Sequence, residues 1–229
     1  MFMALPRPAE GAAGTRERIL AAAGELFAAR GLRGATMREI AARAGANLAS
    51  AHYHFGSKEG LYLAVASEMF HALERAMAAR GVAPAAVDLE RATREELVAM
   101  LRSRIEALLE ALLAPPRHHA IVMLRELCDP TDALPEVVQR FIAPLRREMV
   151  RLVQRLAPEL SQADAERCAE SVAGQAHFHA THRPAVLLLR GRDDYPRGFL
   201  RETAAHVTEF SLGGIERLAE QRRRERGTA

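Results

Sequence analysis

The sequence predicts an all-α chain, a small head of short helices followed by a larger helical body. Three observations carry that expectation. Ala, Leu, Arg and Glu dominate while aromatic residues make up only 5%, a balance that favours helix over strand. Apolar residues recur at three- and four-residue spacing rather than alternating, which is the helical period. Ser, Thr or Asn precedes several of these segments and Gly or Pro follows them, as helix starts and stops require.

Residues 1–14, MFMALPRPAEGAAG, hold two Pro and two Gly without a period and read as a mobile tail in which Arg7 could touch a phosphate. From Thr15 the residues Ile19, Leu20, Ala23, Leu26 and Phe27 mark a helix that stops at Arg30-Gly31, Gly31 being its C-cap. Thr36 opens T-M-R-E, a capping box in which Thr36 and Glu39 satisfy each other's backbone amides, so a second helix begins at Met37 and runs to Ala44. Gly45 supplies the left-handed residue of a sharp turn. Asn47 is a good N-cap for a third helix, LASAHYHF. Ser57 caps a fourth, with Leu61, Val65, Phe70 and Leu73 on its apolar side, reaching about Arg80-Gly81 and long enough to link two bodies.

The segment around Pro84 has no period, which places a domain boundary near 81–92. Thr93 to Glu96 repeats the capping box, and Leu97, Leu101, Ile105, Leu108, Leu109 and Leu112 make a stripe ending at Pro115-Pro116. Further helices are expected over about 117–128, 135–157 with a break at Pro144, 161–189 with a kink at Pro184, and 199–222. A polar loop covers 191–198. The closing run RRRER reads as a solvated tail.

Composition excludes several classes. With 49% hydrophobic and 27% charged residues the chain is globular rather than disordered or fibrous. No charged leader with an apolar core is present and no apolar run is long enough to span a bilayer, so a cytoplasmic location and no membrane partner are expected. Cys128 and Cys168 stand 40 positions apart and read as free thiols. The net charge of +3 permits an anionic partner. Residues 15–58 carry seven basic side chains against three acidic ones (Glu17, Glu25, Glu39), so the excess gathers around the first helices. Lys58 is the only lysine beside 31 arginines, a bias given no functional weight.

Two short helices joined by a tight turn can place the second in the major groove of DNA while the first crosses the backbone. On that reading Asn47, Leu48, Ala49, Ser50 and His52 stand where bases are read, Leu48 and Ala49 suiting thymine methyls and Ser50 several bases. Tyr53, His54 and Lys58 suit phosphate oxygens, with Thr36 and Arg38 anchoring the preceding helix. Phe55 reads as packing.

The stretch TRERILAAAGELFAARGLRGATMREIAARAGANLASAHYHFGSKEGLYLAV resembles the N-terminal domain of the TetR family of bacterial transcriptional regulators over about 50 residues. It keeps the order helix, G-x-x-x-T, I-A-x-x-A-G, then Y-H-F-G-S-K-E. NLASAHYHFGSKEGLY together with HATHRPAVLLLRG is similar to the CecR-like subgroup. Ala46-Asn47 and Ala49-Ser50 depart from the commoner Val-Ser and Gly-Thr, which implies an operator of the chain's own. The resemblance implies a homodimer formed through the last two long helices, a palindromic double-stranded operator, and release of DNA by a small-molecule effector. The expected architecture is therefore all-α, with a tail over 1–14, a helix-turn-helix DNA-binding domain with its linking helix over 15–80, and a larger C-terminal helical ligand-binding and dimerisation domain over 81–229.

For the effector, Met123, Glu126, Gln175 and His179 are the leading candidates, drawn from polar groups and methionines embedded in apolar helices that also include Met100, His118, His119, Arg125, Cys128, Met149, His177, His182 and Arg183. Pockets between helices with a few converging polar groups are the usual ligand sites, although each residue reads equally as core or interface. Only His179 and His182 share a helix face at i,i+3, with no Glu or Cys in register, so neither a metal nor a cofactor is expected. Two rival functions stand beside this reading. One is a helix-turn-helix-derived interaction module that no longer reads DNA; the other is a helical enzyme, against which no nucleophile, carboxylate pair or phosphate loop stands at catalytic spacing.

Overall fold

The computed structural model describes residues 10–84 and 87–227, and among these residues every regular element is helical. In order they are α1 (Glu10–Arg30), α2 (Met37–Arg43), α3 (Leu48–Phe55), α4 (Lys58–Ala79), α5 (Arg94–Leu113), α6 (His118–Cys128), α7 (Leu134–Val137), a π-helical turn (Val138–Ile142), α8 (Ala143–Leu156), α9 (Gln162–Thr181), α10 (Arg183–Leu189) and α11 (Phe199–Gly227). They gather into two compact units, the first reaching to Met69 and including Pro115–Val137, the second formed by Phe70–Ala114 and Val138 onward.

The first unit is built on a stripe of α1. Ile19, Ala23 and Phe27 are fully buried there, against Ile40 and Ala41 of α2, Ala51 of α3, Leu61, Tyr62 and Val65 of α4, and Val122 of α6. The Phe27 and Tyr62 rings meet edge to face at 5.1 Å, an arrangement worth about 0.5–1.5 kcal/mol beyond the area it buries. Helix α6 rests directly on the α1 backbone: a Cβ added at Gly24 would lie 2.3 Å from the His118 ring. The expected division at 80/81 assigned residues 118–128 to the C-terminal body, whereas α6 packs on α1. An apolar stripe says that a helix is buried on one side and is silent about its partner.

In the second unit α5 touches α8, α9 and α11. Its inward face carries Leu97, Met100, Leu101, Ile105, Leu109 and Leu112, together with one buried cation, Arg104. A further cluster joins Val150 and Val153 of α8 to Ala165, Cys168 and Ala169 of α9 and Ile215 and Ala219 of α11.

Several boundaries differ from expectation, each for a physical reason. The tail expected over 1–14 is partly outside the described residues, Arg7 included; from Glu10 the chain is already helical, since extending an existing helix avoids the cost of nucleating one. The break expected at Pro144 is absorbed upstream by the π turn, leaving Pro144 in the first turn of α8, where its missing N–H costs nothing. Pro184 likewise opens α10 after a break at His182. The RRRER run is helix rather than tail.

That last change comes from acceptors the linear pattern could not show. Asp164, nearly buried on α9, accepts from Arg222 Nε at 3.0 Å and Nη2 at 3.1 Å, from Arg167 at 3.1 Å and from the Ser161 hydroxyl at 2.8 Å. Arg223 pairs with Glu159, and Arg226 donates to the Glu159 carbonyl at 3.0 Å. Hydrogen bonds from Arg222 and Ser161 hold the Asp164 carboxyl well below the usual carboxylate range.

A carboxylate whose folded pKa lies below its ordinary 3.8 stabilises the fold above that value and loses its contribution as pH falls through the folded one. Acid titration followed by circular dichroism is therefore expected to show the parent weakening below about pH 4. Asp164→Asn is expected to melt several degrees lower at neutral pH and to be less sensitive to acid over that range.

Candidate nucleic-acid interface and effector pocket

The short α2 and α3 are set by their caps. Thr36 Oγ1 accepts from the Glu39 amide at 3.2 Å while the Glu39 carboxylate accepts from the Thr36 amide at 3.0 Å and hydroxyl at 2.8 Å. These bonds hold Glu39 below its ordinary pKa. Gly45 turns the chain at φ 61°, a conformation only glycine adopts freely. Asn47 Oδ1 then accepts from the Ser50 amide at 2.7 Å and starts α3.

One face of α3 is closed and the other open. Ala51 is fully buried, whereas Asn47, Leu48, Ala49, His52 and Tyr53 are exposed, Tyr53 at 85%. Ser50 and His54 lie between these extremes. His52 Nδ1 sits 2.8 Å from the Gly56 carbonyl, so in the neutral ring Nδ1 is the donor and Nε2 is left as an acceptor toward solvent. Tyr53, His54 and Phe55 form an edge-to-face series, and the Arg16 guanidinium stands 5.2 Å over Phe55, consistent with Phe55 as packing.

Around this face Arg38 is exposed. Lys58 Nζ donates to the Ala35 carbonyl at 3.2 Å, which fixes its position and leaves two of its three donors for other acceptors. Arg18 was not singled out by sequence, yet its Nε donates to the Ala44 carbonyl at 3.1 Å, bracing the end of α2. Arg43 pairs with Glu25 and Arg30 with Glu39. Much of the local basic excess is thus engaged in holding the helices.

The four leading effector candidates divide between the two units. Met123 and Glu126 belong to the first unit, Gln175 and His179 to the second. Glu126 is 0% exposed, and its carboxylate accepts from the Thr131 amide at 2.9 Å and hydroxyl at 3.0 Å. Burial and the hydrogen bond from Tyr62 to Glu126 push the Tyr62 hydroxyl well above its ordinary pKa. Glu126 therefore closes the loop after α6 from inside. Gln175 donates to Ser211 at 3.0 Å. His179 packs against Phe199 and accepts at its carbonyl from Tyr195 at 2.8 Å; burial lowers its pKa. Among the described residues no group of three or more His, Cys, Asp or Glu is arranged to hold a metal ion, and no helix is long and apolar enough to cross a membrane.

The second unit does hold an open cleft of about 300 Å³, with Phe70, Met77, Pro84, Phe141 and Leu145 on its walls. Phe70 and Phe141 stack at 4.9 Å, 9° from parallel. None of these side chains was singled out as a ligand contact from sequence. Phe141 sits on the π turn, a feature that only the folded backbone reveals.

Comparison with known proteins adds to this geometry. The sequence model described as bacterial regulatory proteins, tetR family, matches residues 19–65. The model of the C-terminal domain of the HTH-type transcriptional dual regulator CecR matches residues 94–215. CecR of Shigella flexneri is 36% identical over 147 residues, 60% of this chain and 62% of that protein; the match thus spans less than two thirds of the relative's length. Among solved structures, a tetR-family regulatory protein from Rhodococcus RHA1 superposes with a TM-score of 0.65 at 23% identity, covering 88% of this chain and 96% of that one. AibR in complex with isovaleryl coenzyme A and operator DNA gives 0.60 at 17% identity, over 87% and 96%.

The Glu126 network makes a distinct prediction for a residue that sequence alone would assign to ligand binding. Tyr62→Phe removes one donor from a buried carboxylate, which costs about 1–3 kcal/mol. Chemical denaturation of the purified variant is expected to show that loss.

Proposed function

Because the chain belongs to the TetR family of bacterial transcriptional regulators, and to its CecR-like branch, it is a DNA-binding regulator, and we propose that it works as a homodimeric repressor released from a palindromic operator by a small molecule. The observation that carries the DNA-reading part is the polarity of α3: Ala51 is sealed in the core while Leu48, Ala49, His52 and Tyr53 face outward. In this reading Asn47, Leu48, Ala49, Ser50 and His52 meet base edges. Leu48 and Ala49 suit thymine methyls, and the free His52 Nε2 suits an amino group of adenine or cytosine. Thr36, Arg38, Tyr53, His54 and Lys58 set the register on phosphates.

Dimerisation is supported by apolar side chains left in solvent on the last helices. Leu188 and Leu189 are more than four-fifths exposed, Phe210 is 68% exposed and Phe178 47%. Large apolar groups in such number on three successive helices, α9, α10 and α11, suit a protein partner, and a second copy presents the same residues. The two reading helices would then meet half-sites about 34–36 Å apart. The AibR complex, a structure holding both an acyl-coenzyme A and operator DNA, supports the ligand-responsive part by analogy of fold.

Two measurements test this. Against DNA from upstream of the chain's own gene, Tyr53→Ala with Lys58→Ala is expected to weaken binding tenfold or more, about 1.4 kcal/mol, and to flatten the salt dependence by about 1–2 in log–log slope. Unchanged affinity and slope would remove these residues from the interface. In sedimentation, Phe210→Glu with Leu189→Glu is expected to convert dimer to monomer; a monomeric parent would exclude the dimer outright.

A further inference from the structure

The second unit contains a buried cation that the fold leaves only partly satisfied. Arg104 is 5% exposed. It stands on the core stripe of α5, three residues after Leu101 and one before Ile105, both fully buried. Its Nε donates to the Val82 carbonyl and its Nη1 to the Glu148 carbonyl, each at 3.3 Å. Its Nη2 is buried with no hydrogen-bond partner among the described residues. Burial pulls the guanidinium below its ordinary pKa, the Glu148 charge offsetting part of the effect. The Glu148 carboxylate is itself engaged by Arg151 at 3.1 Å.

A buried donor left unmade costs about 1–3 kcal/mol, more when charged, so such a group calls for an explanation. The two carbonyls that hold Arg104 point to one. Glu148 lines the cleft of about 300 Å³, and Val82 directly precedes Ala83 and Pro84, which line it too. The guanidinium is thus pinned by the backbone of two segments that wall the cleft. The charged side chains on the lining, Glu74, Glu148, Arg140 and Arg147, balance in formal charge, and Arg104 stands as one further positive charge behind that wall. The remaining wall is apolar, with the Phe70–Phe141 stack on a π-helical turn, and such turns recur at functional sites. The wider recess of about 420 Å³ beside Lys58 in the first unit has no comparable orphan.

We propose that this cleft is the effector site and that it selects a small apolar monocarboxylate, whose carboxylate accepts from Arg104 Nη2 while its apolar body lies along Phe70, Met77 and Phe141. Arg104 stands behind the wall rather than on it, so the anion has to part Ala83 from Glu148 to reach the guanidinium. A charge-assisted bond is roughly twice as strong as a neutral one, so the acid is favoured over its amide of the same shape. The proposal rests on the reading of the chain as a ligand-responsive regulator and names the chemistry of its ligand.

Calorimetry on the full chain without DNA tests it, with 2-naphthoate and the neutral 2-naphthamide as probes. The acid is expected to bind at one site per chain, about tenfold or more tighter than the amide. Arg104→Met is expected to bring the acid down to the level of the amide and to leave the amide unchanged, and Met77→Trp, which fills the cleft, to weaken both. Should Arg104→Met fail to fold, the acid-to-amide ratio in the parent and the effect of Met77→Trp decide. Equal affinity for the two probes, binding of neither, or indifference of the acid to both substitutions overturns the proposal. A parallel gel shift separates the two levels: operator binding without any probe binding sinks this site and leaves the regulator standing, whereas probe selectivity without operator binding does the reverse.

Discussion

An eight-residue helix has too few internal hydrogen bonds to persist alone in water, yet α3 is the element to which the proposed function assigns DNA reading. Its existence is a property of what surrounds it. The Asn47 side chain satisfies the Ser50 amide, Gly45 turns the chain at a positive φ, and Ala51 is the single side chain of α3 that is fully buried. A residue larger than alanine there would push the helix off Ile40 and Phe27. Loss of the cap alone costs about 1 kcal/mol, a large share of what holds two turns in place. The outward residues are consequently free to vary without disturbing the fold, which suits a surface that must match one operator.

The polar groups buried elsewhere follow two patterns, and the difference between them carries the functional argument. Glu126 and Asp164 are each surrounded by donors from several elements: Thr131 and Tyr62 for the first, Arg222, Arg167 and Ser161 for the second. Such satisfied networks order a loop or anchor a helix end, and a ligand would have to displace bonds already made. Arg104 has backbone partners for two nitrogens and none for the third. An incomplete network is costly in a protein that only needs to fold, and it becomes useful when a ligand completes it.

Much of the architecture was legible in the chain. Both capping boxes, the Gly45 turn, the Asn47 cap and the start of α11 at Phe199 lie where the residue types require, because caps and turns act over three or four neighbours. The outward side of α3, with Asn47, Leu48, Ala49, His52 and Tyr53, was legible for the same reason, since a helix of eight residues leaves few ways to divide inward from outward. The surroundings of the effector candidates were not. Glu126 and His179 look alike in the sequence, each a polar residue on an apolar helix, but the former is consumed by a loop and the latter packs on Phe199. A signal did exist at Arg104, a cation at i+3 from Leu101 on a stripe that is otherwise apolar.

The sequence by itself determined the helices, their caps and the family, because these rest on local periodicity and on hydrogen bonds between near neighbours. Tertiary structure alone decided that α6 packs on α1, that the final arginines extend a helix by pairing with Asp164 and Glu159, and that Pro144 is relieved by a π turn beside Phe141. It also decided that the Glu126 and Asp164 charges are satisfied while Arg104 Nη2 is left without a partner among the described residues. The arginine pairs reach partners 58 to 67 positions away and Arg104 reaches carbonyls 22 and 44 positions away, and burial of a charge is defined only once such distant segments have come together to exclude water.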